Sequence, residues 1–473
     1  MKQRMWDFAK YATNTAVISD DGIELSYEDL GNECRAIANA VGRRRLAFVL
    51  CKNCAGSVIG YAAFVNSNIV PLLLNSRLEK GSLRFLLDAY KPSFLWIPEE
   101  DTESFERTDA VYKSYGYVLL KTDYNEEYPM SDELCLLLTT SGSTGSPKFV
   151  RQSYANVKSN ADSIVEYLKL DETERPITTL PMNYTYGLSI INSHFMVGAT
   201  LLVTERSLTR KEFWDFFREK KATSFGGVPY TYEMLDRMRF YRMDLPSLKT
   251  MTQAGGKLSS ELHRKFAEYA EKNGRNFVVM YGQCEATARM GYLPPNKALE
   301  KCGYMGIAIP GGRFWVEDAN GKVVSKPNVT GELVYEGENV SLGYAESGAD
   351  LAKGDERCGV LHTGDMAQFD EDGYYCIVGR KKRFLKIYGN RVNLDEIDRM
   401  IKNKFSSTDC ASAGIDDHMY IFITDDSVSH QIKDFVVFKT GLNQVAFQVI
   451  ALKEIPKNDS GKTLYKELEK YYP

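Results

Sequence analysis

Between Arg44 and Gly282, short apolar runs are each followed by a longer amphipathic stretch, and this alternation constrains the fold more than any other feature. RRLAFVLC leads into AGSVIGYAAFVNSN, LCLLLTTSG into NVKSNADSIVEYL, and GATLLVTE into RKEFWDFFREKK, with RNFVVMYG further on. Runs of strand length alternating with helical patterns predict an α/β fold built on doubly wound sheets of parallel strands. A single core does not serve the whole chain: beyond roughly 250–300 residues chains divide into domains, and this one has 473.

The texture changes near residue 311. GGRFWVEDANGKVVS, TGELVYEG and AQFDEDGYYCIVG alternate apolar with polar residues and turn at Ala-Asn-Gly and Glu-Asp-Gly, which predicts antiparallel hairpins in a small β-subdomain over about 311–378. The basic run GRKKR at 379–383 then introduces a last segment with a helix in NLDEIDRMIKNKF, a strand in MYIFIT and a Lys-rich tail. The expected division is 1–381 for the large N-terminal domain and 382–473 for a small α+β C-terminal domain.

With 59 basic and 63 acidic side chains the formal charge is −4, which argues against a general nucleic-acid or anionic-membrane role and favours small-molecule partners. No apolar stretch reaches the roughly 18 residues of a membrane span, and MKQRMWDFAKYATN has no apolar signal core, so a cytoplasmic protein is expected. Nine scattered cysteines read as reduced thiols. Cys51 and Cys54 form a C-x-x-C without a second pair at zinc-ribbon spacing, and a structural role is the favoured reading.

The most informative segment is LLLTTSGSTGSPKFV. An apolar strand runs into Thr140, Ser141, Gly142, Ser143, Thr144, Gly145 and, after Ser146 and Pro147, Lys148; small residues are gathered there so that backbone N–H groups can wrap an anion. The Walker pattern is absent, because Pro147 precedes the lysine; Gly461-Lys462-Thr463 fails too, with Pro456 where the first glycine belongs.

SGSTGSPK resembles the signature of the acyl-adenylate-forming superfamily of acyl-CoA synthetases, aryl-CoA ligases, luciferases and peptide-synthetase adenylation domains. The resemblance continues in order through PMNYTYGLSI, QAGGK, YGQCE, TGEL, HTGD, GRKKRFLKIYGNRVNLDEID and PKNDSGK, across roughly residues 20–470. It implies ATP-dependent activation of a carboxylic acid to an acyl-adenylate, then transfer to a pantetheine thiol of CoA or an acyl carrier protein. By resemblance, the 140–148 loop with Thr144, the turn Ala254-Gly255-Gly256 and the stretch Tyr281-Gly282-Gln283-Cys284 hold the nucleotide, and Glu285 holds Mg²⁺. Asp365 would accept the ribose hydroxyls, with Arg380 beside it. Lys462 would contact the carboxylate and α-phosphate oxygens in the transition state, a role that suits a compact ammonium on a flexible stem. The hinge falls at Lys382, and Lys386 to Gly389 would face the thiol after the small domain rotates.

Several positions depart from the family pattern. Cys284 replaces the frequent threonine, Lys382 an acidic hinge residue, and Lys466 an arginine often found four residues after the terminal lysine. The acyl pocket is assigned to Tyr184, Tyr186, Gly187, Gly226, Gly227 and Val228, with Gly226 and Gly227 leaving room beside it, although Tyr184, Tyr186 and Tyr230 read equally well as core tyrosines. No acid lies between Glu174 and Glu205 to pair a substrate ammonium, so an uncharged acyl, aryl or hydroxy-acid tail is favoured. Amino-acid adenylation for a carrier protein, a catalytically lost nucleotide-binding homologue and luciferase-type oxidation are the alternatives. Together, Lys148, Glu285, Asp365, Arg380 and Lys462 argue for an enzyme.

Overall fold

In the computed structural model of the chain, residues 4–105, 108–124, 129–139, 148–381, 383–388, 390–458 and 461–472 are described, without the side chains of 384, 386, 390 and 391. The expected loop residues Thr140, Ser141, Gly142, Ser143, Thr144 and Gly145, the hinge residue Lys382, Gly389 and the side chain of Lys386 therefore lie outside the described residues. Two compact units emerge, Met1–Arg313 with Tyr335–Leu361, and Phe314–Val334 with His362–Pro473.

Among the described residues, the first unit carries two sheets. One orders Gly343–Ala345, Phe149–Ser153, Leu134–Thr139, Val70–Asn75, Leu46–Cys51, Phe94–Pro98, Tyr117–Thr122 and Thr108–Ser114. Its central strands run parallel and its flanks antiparallel. The other has a parallel interior of Asn276–Tyr281, Thr250–Gln253, Ser224–Gly227, Pro176–Ile177, Leu201–Val203 and Thr15–Ser19. This is the expected doubly wound architecture. LAFVLC and the first five residues of LCLLLT are buried throughout, as strands covered on both faces must be. The helix Ala55–Asn66 is apolar on every side and buried from Ala55 to Val65.

One helix start helps to build the site. Ser153 Oγ accepts from Asn156 N, and the Asn156 side chain accepts in return from Ser153 N, which fixes the first turn of Tyr154–Leu168. Asn156 Nδ2 then donates to the carbonyls of Glu338 and Val340, fastening the segment that leads to Gly343.

In the second unit the two predicted turns share one device. Asp318 Oδ1 accepts from Asn320 N and Lys322 N, and Asp370 Oδ1 from Asp372 N and Tyr374 N, with Gly321 and Gly373 at φ +77° and +78°. The second of these turns joins residues 365–369 to the antiparallel strand Tyr375–Arg380. After it come the hairpin of Phe384–Ile387 and Asn390–Asn393 and a sheet of Cys410–Ile415, His418–Ile423 and Phe447–Ala451. Helices Leu394–Lys404 and Ser429–Thr440 cover a core that includes Ile397, Ile401, Ile421, Ile432 and Val436. Among the described residues no helix is long and apolar enough to cross a membrane.

Candidate active site

Four strands of the first unit end at residues the motifs single out: Leu134–Thr139, Ser224–Gly227, Thr250–Gln253 and Asn276–Tyr281. Ligand-binding groups of α/β sheets collect beyond such carboxyl ends. After Tyr281 the backbone makes one 3₁₀ turn, Cys284–Ala286, and passes through left-handed conformations at Thr287 (φ +53°) and Ala288 (φ +98°). A Cβ on Gly282 would stand 1.6 Å from the Ala288 carbonyl oxygen, so only glycine closes this turn. The Cys284 thiol is buried and donates to the Thr139 carbonyl at 3.4 Å, while Gln152 Nε2 donates to the Cys284 carbonyl at 3.2 Å. Two strand ends from different sheets are thereby joined. Gln283 Nε2 donates to the Tyr281 hydroxyl at 3.2 Å.

Glu285, half-buried, projects from this turn. Its Oε1 accepts from the Tyr344 hydroxyl at 2.8 Å, and its backbone carbonyl accepts from Ser341 N at 2.9 Å. The Tyr344 ring carries Lys148 Nζ 3.9 Å from its centroid and Arg357 Cζ at 4.7 Å. Burial, with the Glu285 charge adding to it, pushes the Tyr344 hydroxyl up to about 12, so it donates throughout the neutral range. Tyr344 is positioned by strand pairing with Val150. It is also held by Arg151, which is fully buried and donates to the Tyr344 carbonyl at 3.0 Å.

The carboxylate suits a hard cation. Among the described residues no cluster of three or more His, Cys, Asp or Glu could hold a metal, and the bond from Tyr344 engages only Oε1 of Glu285. Mg²⁺ commonly takes one or two carboxylates and completes its shell with water and substrate phosphates, so a single Glu285 beside Lys148 fits it.

The proposed acyl pocket lies in the same unit. Tyr186, Val228 and Ala254 join Leu180, Ile190, Val278 and Met280 in one apolar cluster, with Tyr184 packed against it. Tyr186 is core and bonds Thr252 Oγ1 through its hydroxyl at 2.7 Å, whereas Tyr230 is 51% exposed. Tyr184 is half-buried and crosses the Ala254-Gly255-Gly256 turn: a Cβ on Gly255, at φ +83°, would meet its hydroxyl at 2.7 Å. The expectation that Gly226 and Gly227 leave open room is corrected. Cβ atoms there would meet Tyr186 and Ile190 at 3.0 Å and Tyr232 at 2.8 Å, so neighbouring side chains already fill the space. Gly187 is likewise required by packing, its Cβ position lying 2.3 Å from the Pro181 carbonyl oxygen.

In the second unit Asp365 and Arg380 face each other across the hairpin, with Arg380 Nε 3.3 Å from Asp365 Oδ1. Asp365 is buried and Arg380 largely exposed. Lys462 is fastened to residues that precede it. Lys457 bridges Thr463, Asn458 N donates to the Lys462 carbonyl at 2.9 Å, and Lys462 N donates to Asn458 Oδ1 at 2.9 Å. The structure thus brings Lys148, Cys284 and Glu285 together in one unit and Asp365 with Arg380 in the other.

The model of the AMP-binding enzyme family matches residues 5–345. The chain belongs to that family. The superfamily of acyl-adenylate-forming enzymes implied by the motifs is thereby its own. A curated relative, the 2-succinylbenzoate–CoA ligase of Geobacillus sp. (strain WCH70), is 24% identical over 459 residues, covering 94% of this chain and 92% of the relative. A solved o-succinylbenzoate CoA synthetase of Bacillus subtilis, in complex with its acyl-adenylate intermediate, superposes with a TM-score of 0.79 at 21% identity over 99% of this chain and 98% of its own. The same enzyme bound to ATP and magnesium ion gives 0.75 at 21% identity over 96% of each chain. At that identity the likeness is one of fold.

Sequence reasoning missed Tyr344, Arg151 and Arg289. Arginines inside the apolar contexts FVRQS and ATARM were the available signal, since a guanidinium rarely enters a core without a task. Tyr344 carried no signal, because its partners lie 59 and 196 positions away in sequence.

Proposed function

We propose that the chain is an AMP-forming acid–thiol ligase that activates a small carboxylic acid with ATP and passes the acyl group to CoA. The observation that carries this reading is the set Lys148, Tyr344 and Glu285: a cation and a carboxylate on one tyrosine, at the converging ends of two sheets. Adenylation joins two anions, so the site must neutralise phosphate and aim the acid at the α-phosphorus. Lys148 would meet phosphate charge at the end of the SGSTGSPK segment. Glu285 would hold Mg²⁺, which when bound supplies the remaining positive charge for the phosphates. Tyr344 orients the Glu285 carboxylate. Asp365, buried beside Arg380, has an acceptor for ribose hydroxyls, and Lys462 is the proposed transition-state cation.

For the domain boundary at 382 the support is local. Lys381 is tied backward, through its N to the Gly364 carbonyl and through Nζ to Glu332 at 2.6 Å. Arg383 is tied forward, to Asp395, Asp398 and the Ser412 carbonyl. The test is a pyrophosphate-exchange screen over aliphatic, aryl, hydroxy and amino acids. Exchange requiring ATP, Mg²⁺ and a carboxylic acid supports the reading, and no acid-dependent exchange rejects it. Transfer to a carrier protein instead of CoA would change the acceptor and leave adenylation standing.

A further inference from the structure

Among the described residues of the first unit two arginines are buried, Arg151 at 0% and Arg289 at 2% exposure. Arg151 has its charge answered. Its three nitrogens donate to the carbonyls of Tyr344, Lys353, Leu342 and Gly354, and Nη2 also meets Glu356 Oε2 at 2.6 Å. Arg289 does not. Its Nε donates to Ser189 Oγ at 3.1 Å, and Nη1 to the Tyr167 hydroxyl at 3.0 Å and the Met280 sulfur at 3.4 Å, with the Tyr186 ring 5.3 Å from Cζ. All of these partners are neutral. Among the described residues no carboxylate pairs with Arg289, and Nη2 has no acceptor.

A buried cation without an anion is unfavourable unless something supplies the missing charge. The guanidinium borders the residues assigned to the acyl group. Met280 and Tyr186 belong to the apolar cluster with Val228, Ala254 and Tyr184 that the proposed function assigns to the acyl group, and Ser189 lies on the same helix as Tyr186, Thr185–Met196. No acidic residue occurs between Glu174 and Glu205 to compete for the cation.

We infer that Arg289 determines specificity by pairing its open Nη2 with a second carboxylate on the acyl substrate, so that the acid activated is a dicarboxylic acid. A planar guanidinium is the side chain best matched to a carboxylate. The uncharged tail expected from the missing ammonium partner is replaced by an anionic one, for which the same absence of acids is an advantage. This inference rests on the acid-activation reading of the site.

The test uses the full chain with ATP and Mg²⁺, measuring pyrophosphate exchange with straight-chain monocarboxylic acids and dicarboxylic acids of matched length, and with benzoic acid and its carboxylated derivatives. Wild type should favour the diacid of the best pair by at least about tenfold in kcat/KM, because a site built for a polar group rejects the analogue lacking it. Arg289→Met should abolish that preference chiefly through KM, and Arg289→Lys should retain part of it while keeping the charge and the fold by circular dichroism. A wild-type enzyme that takes the monoacid equally well or better overturns the inference and leaves the ligase reading intact. Equal losses for both acids in Arg289→Lys also overturn it. Absence of exchange with every acid removes the ligase reading and this inference together.

Discussion

Tyr344 shows how one side chain can couple two charges of opposite sign without neutralising either. Its ring faces Lys148 and Arg357, and its hydroxyl donates to Glu285. Tyr344→Phe keeps the ring and deletes the donor. A hydrogen bond to a charged group is worth about 1.5–3 kcal/mol, so pyrophosphate exchange should fall by about 10- to 10²-fold, with a weaker apparent affinity for Mg²⁺. An unchanged Mg²⁺ titration in that variant would show that the hydroxyl does not orient Glu285. Glu285→Gln should cost on the order of 10²-fold or more in the same assay. Lys148 and Glu285 were legible in the sequence because SGSTGSPK and YGQCE carry the resemblance to the family's motifs. The tyrosine between them was not, since its placement depends on the pairing of Gly343–Ala345 with Phe149–Ser153, a long-range register that no local pattern encodes.

The turn after Asn276–Tyr281 is the element on which the site depends. Gly282 belongs, by resemblance, to the stretch that holds the nucleotide, and its Cβ position faces the chain's own Ala288 carbonyl. Gly282→Ala should therefore open the turn, lower the melting temperature by several degrees and abolish exchange, because backbone on both sides leaves no flexible side chain to yield. Gly354→Ala is the control: nothing lies within 4 Å of its Cβ position, and it should melt with wild type. Equal melting of the two variants would refute the packing account of Gly282. Strands, helices and the Asp-led turns at 318 and 370 were legible because they follow from local periodicity and turn chemistry. The occupied space beside Gly226 and Gly227 was not, as it is filled by Tyr186, Ile190 and Tyr232 from other elements.

At the scale of the whole molecule, the residue after the proposed pivot and the residue three after Lys462 share one buried carboxylate. Arg383 Nη2 bonds Asp398 Oδ2 at 2.8 Å, the Tyr465 hydroxyl approaches Asp398 at 3.4 Å, and the Arg383 guanidinium lies 3.6 Å above the Tyr465 ring. The segment that carries Lys462 is thereby tied to Arg383. Burial pushes the Asp398 carboxyl up to about 6, against the opposing pull of Arg383. A carboxyl whose folded pKa is raised stabilises most below its unfolded value of 3.8, and that contribution is lost as pH rises toward 6. Asp398→Asn should flatten this part of the stability profile between pH 4 and 6, and parallel wild-type and variant curves there would contradict it. Lys462→Ala should slow adenylation by on the order of 10²-fold while sparing thioester formation from supplied acyl-adenylate, and Lys382→Pro should do the reverse. Equal effects of Lys382→Pro on both half-reactions would end the case for domain alternation. The most direct measurement of all is the nucleotide released while the full chain forms a thioester from its best acid, ATP and CoA. AMP and pyrophosphate in equal amounts, matched to thioester, are expected; ADP and phosphate would contradict acid activation through an adenylate.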